Sequence, residues 1–515
     1  MSGSTPPVPA RREGKGLATG TLGLVGSTVI GLASTAPVYS LAATLGFVVL
    51  AVGAQAPIAF ILAFVPMLLI AFAYRELNRA VPDCGTTFTW ATKAFGPWVG
   101  WMGGWGVAVA GMVVLANLAQ IGGRYLWLLI DPQVADDDVV VTATGVAFIA
   151  VMTWISYRGT EIGEKLQNVL LGIQYLALAV FVVAAVVAVA TGTAPEGATA
   201  PQLAWFDPFA FESASGFVEA ILLALFIYWG WDTCLALNEE TRDPERTPGR
   251  AALLSTVILL VTYVGVTVAA MSYAGLGSTG MGLGNEENAE DVFFALKDAL
   301  FGPWAWLLVV AVMVSAVSST QTTILPTARG TLSMAAYRAL PRRFGRVHPT
   351  YKTPAFSTVV MGVVATVFYV GMTIISEDFL SDTILSLGLA IAFYYAITGF
   401  SCVWYFRREL FSSVHTVVFR LVFPLAGAVM LTAAFVYSAV DMLDPDYGYT
   451  VIWGIGGVFV VGVGSLALGV VLMVLLFLFP GSKPFFRGET LDRDTPVLVQ
   501  EAEHPPVRSV DGGFA

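Results

Sequence analysis

The chain has 515 residues, 57% of them hydrophobic and 12% charged, with a formal net charge of −10. A mean hydropathy of +0.76 excludes an ordinary soluble globular protein. The acidic balance and the lack of an extramembrane basic domain argue against nucleic acid as a partner.

A spanning helix needs about 20 apolar residues. Twelve such stretches begin near residues 19, 55, 97, 139, 166, 216, 251, 304, 355, 383, 417 and 451. This predicts an all-α polytopic membrane protein embedded in a lipid bilayer. Residues 1–18 and 481–515 are rich in Pro, Gly and charge and are expected to be disordered cytoplasmic ends. Residues 1–18 are too polar for a signal peptide, so the first stretch should remain as span one. With the N-terminus inside, all of the 26 lysines and arginines except Arg124 and Lys297 fall on the inner side. The outer loops are acidic, as in Asp136–Asp138, Glu286–Glu287 and Glu377–Asp378. The positive-inside rule then predicts cytoplasmic termini and a multi-pass protein of the plasma membrane. Arginine outnumbers lysine, which fits a GC-rich bacterial genome.

Span one contains Gly26, Gly31, Ser34, Thr35 and Pro37, which should interrupt its helix. At bilayer depth, freed backbone groups are tolerated only in a protein interior or against a polar cavity. The N–H groups of Leu32, Ala33, Ser34 and Thr35 could hold a carboxylate, and the carbonyls of Ile30 and Gly31 an amine. The plainer reading is close helix packing through small residues. In span three, Ala108, Ala110 and Gly111 leave room for a ligand, and Arg124 should pair or snorkel at the outer face. Span six carries Phe226, Trp229, Gly230, Trp231 and Asp232 in its middle. Asp232 is the acid beside this second break, and an intramembrane carboxylate is functional by default. It could bind a substrate amine, take a proton or lock a gate; the alternative is that it reaches cytoplasmic water or an arginine. Gly275–Gly280 spells G-x-G-x-x-G, but no strand precedes it, so it reads as a linker. Ser318, Ser319 and Thr320 in span eight could join span-one carbonyls in a sodium site, against the plainer reading of hydroxyls bonded to their own helix. The scattered His348, His415 and His504 and the three cysteines show no metal-ligand spacing, so neither metal nor cofactor is expected.

Phe95–Gly96–Pro97–Trp98 before span three is repeated as Phe301–Gly302–Pro303–Trp304 before span eight. Those spans run in opposite directions, five apart, as do the two broken spans. This predicts a 5+5 inverted-repeat core over 19–403, with repeats at 19–192 and 216–403, and two additional helices over 404–480.

Four segments resemble the amino acid–polyamine–organocation permeases: Gly26–Ala33; Tyr74–Gly85 followed by Phe95–Gly96–Pro97; Gly230–Asp232 followed by Glu239–Glu240 and Asp243–Pro244; and Ala328–Arg329 through Lys352–Thr353–Pro354. The resemblance implies a LeuT-like fold, alternating access and a small-molecule substrate, an amino acid or related amine. It also implies coupling to H+ or Na+. Phe226 aligns with the family's aromatic gate. Some proton-coupled members carry a lysine in span five, where Gln174 stands here and cannot ionise. A non-transporting amino-acid sensor and a membrane-embedded enzyme are the alternative functions. The first lacks its usual large cytoplasmic domain, and the second lacks paired catalytic groups.

Overall fold

The computed structural model describes residues 14–375 and 377–499; the side chains of 377–381 and 384 lie outside the description. The parts of the expected disordered ends at 1–13 and 500–515 lie outside the described residues. The chain is predominantly helical. In order, the helices are α1 Leu24–Ser34, α2 Pro37–Val52, α3 Ala56–Ala80, α4 Thr87–Phe95 and α5 Pro97–Ile130. Next come α6 Asp138–Arg158, α7 Thr160–Thr191, α8 Ala214–Ile227, α9 Thr233–Ala236 and α10 Thr247–Ala274. Then follow α11 Val292–Phe301, α12 Trp306–Ala336, α13 Ala355–Ile375 and α14 Glu377–Tyr405. Last are α15 Val414–Asp441, α16 Gly457–Leu478 and α17 Lys483–Phe486.

Ten segments among the described residues are long and apolar enough to cross a membrane. One of these, Leu24–Ala80, has 57 residues, which is enough for two crossings. Ala214–Ile227 is apolar but too short to cross alone. A small antiparallel hairpin, β1 Val451–Ile452 with β2 Ile455–Gly456, departs from the all-helical expectation. It delays the last long helix to Gly457, and Asp382 anchors its approach by accepting from the N–H groups of Tyr449 and Thr450.

The largest apolar cluster runs through α1, α2, α3, α5, α8, α10, α12 and α14. By contrast α6, α7, α13, α15 and α16 each leave an apolar stripe exposed, as Trp154, Leu176, Val367, Val429 and Val471 show. Such stripes on membrane-length helices suit contact with lipid. Both Phe-Gly-Pro-Trp segments close a short helix and open a long one. Phe95 ends α4 and Pro97 begins α5; Phe301 ends α11 and Gly302–Trp304 leads into α12. Gly96 and Gly302 take φ of 97° and 52°, which lets the chain turn sharply there.

The expectation of disorder does not hold for residues 14–18 and 481–499. Phe485, Phe486 and Leu491 are buried with Phe88, Trp101 and Tyr337. Lys93 Nζ donates to the carbonyls of Asp492, Arg493 and Thr495 at 3.1, 3.0 and 2.6 Å. Leu498 N–H donates to Tyr337 Oη (3.1 Å), and Leu17 is buried at the same end of the molecule. A few apolar anchors and satisfied backbone groups outweigh the polar composition of these segments.

Candidate functional site at two helix breaks

The first break lies between α1 and α2. Thr35 leaves the helix and Ala36 adopts φ 47°, ψ 61°, a left-handed conformation. Pro37 explains this: it has no N–H to continue the ladder and disfavours a right-handed helical residue before it. The break therefore falls at Thr35–Ala36, slightly beyond the Ile30–Thr35 expected. Ile30, Gly31, Leu32, Ala33 and Ser34 are still helical and buried. The glycines serve approach instead. A Cβ on Gly31 would lie 2.7 Å from Ser255 Oγ, and one on Gly26 would strike the Glu164 carboxylate.

The second break lies between α8 and α9. Tyr228 and Trp229 unwind, and Gly230 takes φ +118°. A Cβ there would sit 2.8 Å from the carbonyl carbon and oxygen of Ser34. The two breaks thus face each other across bare backbone. Ser34 Oγ and Thr233 Oγ1 share a hydrogen bond of 2.8 Å across the junction. Ser319 of α12 donates to the Ser34 carbonyl at 2.8 Å, so three discontinuous or polar helix segments converge on one residue. Tyr263 of α10 donates to the Ile227 carbonyl at 2.7 Å, and Ser315 of α12 accepts from Tyr39 N–H at 3.2 Å. These bonds satisfy groups that the breaks release.

Asp232 points to α14. Its carboxylate accepts from Tyr395 Oη at 3.0 Å and Tyr394 Oη at 3.2 Å. Trp229 Nε1 donates to Tyr394 Oη, extending the chain of bonds to the second break. No arginine or lysine pairs with Asp232 among the described residues. Trp231 is fully buried, edge-on to Tyr74 at 5.2 Å and tilted over Tyr395 at 5.5 Å. Phe226 lies in the last turn of α8, partly buried beside the large apolar cluster. Ala110 is fully buried in that cluster, which also holds Leu32 and Ala33, while α5 packs chiefly against α12.

Ser318 and Ser319 do not act as a pair. Adjacent residues on a helix diverge by about 100°. Ser318 donates to Gln167 of α7, whose amide also donates to the Ser318 carbonyl (3.0 Å) and to Gln321 (2.7 Å). Thr320 bonds back to the Ala316 carbonyl in its own helix. Gln174 lies two turns beyond Gln167, fully buried, and neither end of its amide has a partner. Arg124 lies 3.9 Å from Asp136, both exposed.

Beneath the breaks, the end that gathers the basic residues is closed by buried ion pairs. Lys15 Nζ lies 2.7 Å from both Asp83 and Glu239. Burial alone would raise Asp83, but the Lys15 ammonium and hydrogen bonds hold it at about 2. In Glu239 burial prevails, and its pKa stands above the usual carboxylate range. Burial would lower Lys15, yet the two carboxylates keep it well above its ordinary value. Tyr337 also donates to Asp83 (2.8 Å), and Arg329 pairs with Glu240, which accepts from Thr160 as well. Sequence reasoning singled out Asp83, Glu239, Glu240 and Arg329 as motif residues. It missed Lys15, Gln167, Tyr394 and Tyr395; the tandem tyrosines inside an apolar span were the available signal.

Residues 20–463 match the amino acid permease family. The chain belongs to that family. It is 28% identical to an uncharacterized transporter of Mycobacterium tuberculosis over 349 residues, covering 67% of this chain and 72% of the relative. It is 25% identical to the low-affinity putrescine importer PlaP of Escherichia coli over 420 residues, covering 81% and 88%. Identity to the methylthioribose transporter of Bacillus subtilis is 23% over 321 residues, covering 60% and 65%. This permease is therefore a multi-pass membrane transporter of a small organic molecule.

Proposed function

We propose that this permease carries an amino acid or related organic amine across the plasma membrane by alternating access. The observation that supports this reading best is the junction of the two breaks, where Gly230 meets Ser34 backbone to backbone. A membrane protein gains nothing in stability from interrupting two helices at one depth unless their freed groups have a use. The twelve-span threading, the 5+5 inverted repeat and the cytoplasmic termini belong to the same proposal. They are supported by the paired short-helix, long-helix segments and by the clustering of basic residues at one end.

In this reading the ends of α1 and α8 hold the substrate's polar groups near Ser34 and Gly230. Asp232 with Tyr394 and Tyr395 closes the path toward the cytoplasm, and the carboxylate meets an amine or a coupling proton when the tyrosines release it. Ser319, which donates to the Ser34 carbonyl, is the α12 hydroxyl that would join a sodium ion at the first break. The test is uptake by the full chain in reconstituted vesicles, with a panel of labelled amino acids, polyamines and neutral sugars, under imposed proton or sodium gradients. Saturable accumulation of at least one amine is the expected result. Binding without accumulation would favour a sensor, and chemical conversion an enzyme.

A further inference from the structure

On the outer flank of the molecule, α4, the start of α5 and the last turns of α14 enclose an apolar groove of about 490 Å³. Phe95, Val99, Ile397, Phe400, Val403 and Trp404 line it. From Ile397 to Trp404 the groove follows α14 for about 10 Å, much of the depth of one leaflet. Trp404 stacks against Phe95 at 6.0 Å, and the Arg407 guanidinium lies 4.7 Å over the Trp404 ring. A cation thus stands at the mouth of a wholly apolar slot.

Arg407 has company of its own sign. Burial first, and then Arg493 and Arg408, push its pKa down. Among the described residues no carboxylate pairs with Arg407 or Arg408. Of the acids that act on nearby Tyr405, Glu409 is bonded to Arg420 at 3.2 Å, which leaves Asp494. Arg493 donates to the Tyr405 carbonyl through Nη2 (2.8 Å), while its Nη1 is buried with no partner. Immediately after the arginines, Phe411 and Val414 are about four-fifths exposed. Cations between a spanning helix and an exposed apolar loop sit at headgroup level.

We propose that this groove binds an anionic phospholipid of the inner leaflet, one acyl chain in the slot and the phosphate against Arg407 and Arg408. A second copy of the chain fits less well, because a twofold contact through this face would set the arginines against their own copies. The inference rests on the membrane orientation proposed above and not on the substrate.

The experiment is lipid retention by the full chain in micelles doped with phosphatidylglycerol or phosphatidylcholine, read by native mass spectrometry. The wild type should retain phosphatidylglycerol at least about threefold better than phosphatidylcholine. Arg407→Ala/Arg408→Ala should remove that preference, and Val99→Trp should lower retention of both lipids. Arg342→Ala/Arg343→Ala, on exposed arginines elsewhere at the same end, should change nothing. Equal retention of the two lipids by the wild type would overturn the proposal, as would full phosphatidylglycerol retention by the alanine pair. Displacement of the lipid by millimolar inorganic phosphate, or a lipid-free dimer, would also overturn it. If the alanine pair does not fold, Arg407→Lys/Arg408→Lys decides: it must keep the preference. Uptake plays no part in this readout, so either lipid result leaves the transport proposal to its own test.

Discussion

Gly230 carries the most stringent local requirement in the candidate site. Its φ of +118° is one that a side chain adopts only at a cost of about 1–3 kcal/mol, and a Cβ would press on Ser34. Gly230→Ala should therefore abolish substrate binding while the protein still reaches the membrane, measured by ligand-dependent shifts in melting temperature. Unchanged affinity would show that the junction is packing alone. Asp232→Asn keeps size and removes charge. It should cut uptake at least about tenfold with little loss of stability, because the amide oxygen can still accept from one tyrosine hydroxyl while its NH2 donates to the oxygen of the other. The Lys15 cluster makes a prediction about pH. Asp83 lies below its unfolded value, so its contribution is present above about pH 4 and is lost only as the pH falls toward 2. Lys15 lies above its unfolded value, so its contribution is full below about pH 10 and is lost as the pH rises from there through that elevated value. Between about pH 5 and 9 the Lys15–Asp83 tie should not vary, and acid should titrate Glu239 before Asp83. At neutral pH, Asp83→Asn should cost about 3–5 kcal/mol and Glu239→Gln clearly less. Equal losses in thermal unfolding would contradict that ranking.

Among the elements, the α1–α2 break tests how sequence signals translate into backbone. Glycine, serine and proline clustered together announced an interruption, and it is there. The glycines, however, admit neighbouring helices, and Pro37 alone places the break at Ala36. A non-glycine residue at φ 47° is strained, so Ala36→Gly should stabilise the protein by about 0.5–1 kcal/mol without abolishing uptake. Loss of stability would mean that the methyl group packs where a glycine leaves a void. Helical periodicity does not reveal which neighbour a polar side chain meets. Ser318 and Ser319 look equivalent in the sequence and serve different helices. Tyr394 and Tyr395 meet Asp232 only because the sixth and tenth expected spans are brought side by side. Such partnerships depend on three-dimensional order, which hydropathy does not encode.

At the scale of the whole molecule, the predominantly helical, membrane-spanning character was legible because lipid demands about 20 apolar residues per crossing, although ten segments of that kind stand among the described residues where twelve were expected. Residues 14–18 and 481–499 were misread because composition alone cannot see a few anchors such as Phe485, Phe486 and Leu491. These two segments meet. Lys15, Asp83, Tyr337 and Leu498 form one knot, since Lys15 also donates to the Leu498 carbonyl at 3.4 Å. Lys93→Met should free residues 491–498 and raise their amide hydrogen exchange, while leaving exchange at α10 unchanged; unaltered protection in 491–498 would place their anchorage elsewhere. The order of synthesis gives the knot a further meaning. Residues 491–498 leave the ribosome after every helix from α1 to α17, so α4, the end of α12 and the Lys15 segment wait for them. Until then the basic face has no final seam, and a nascent chain halted before residue 490 would expose Phe88 and Tyr337 to quality-control factors. Residues 491–498 are thus the last seam of that face to close, drawn in by a lysine that precedes the first helix.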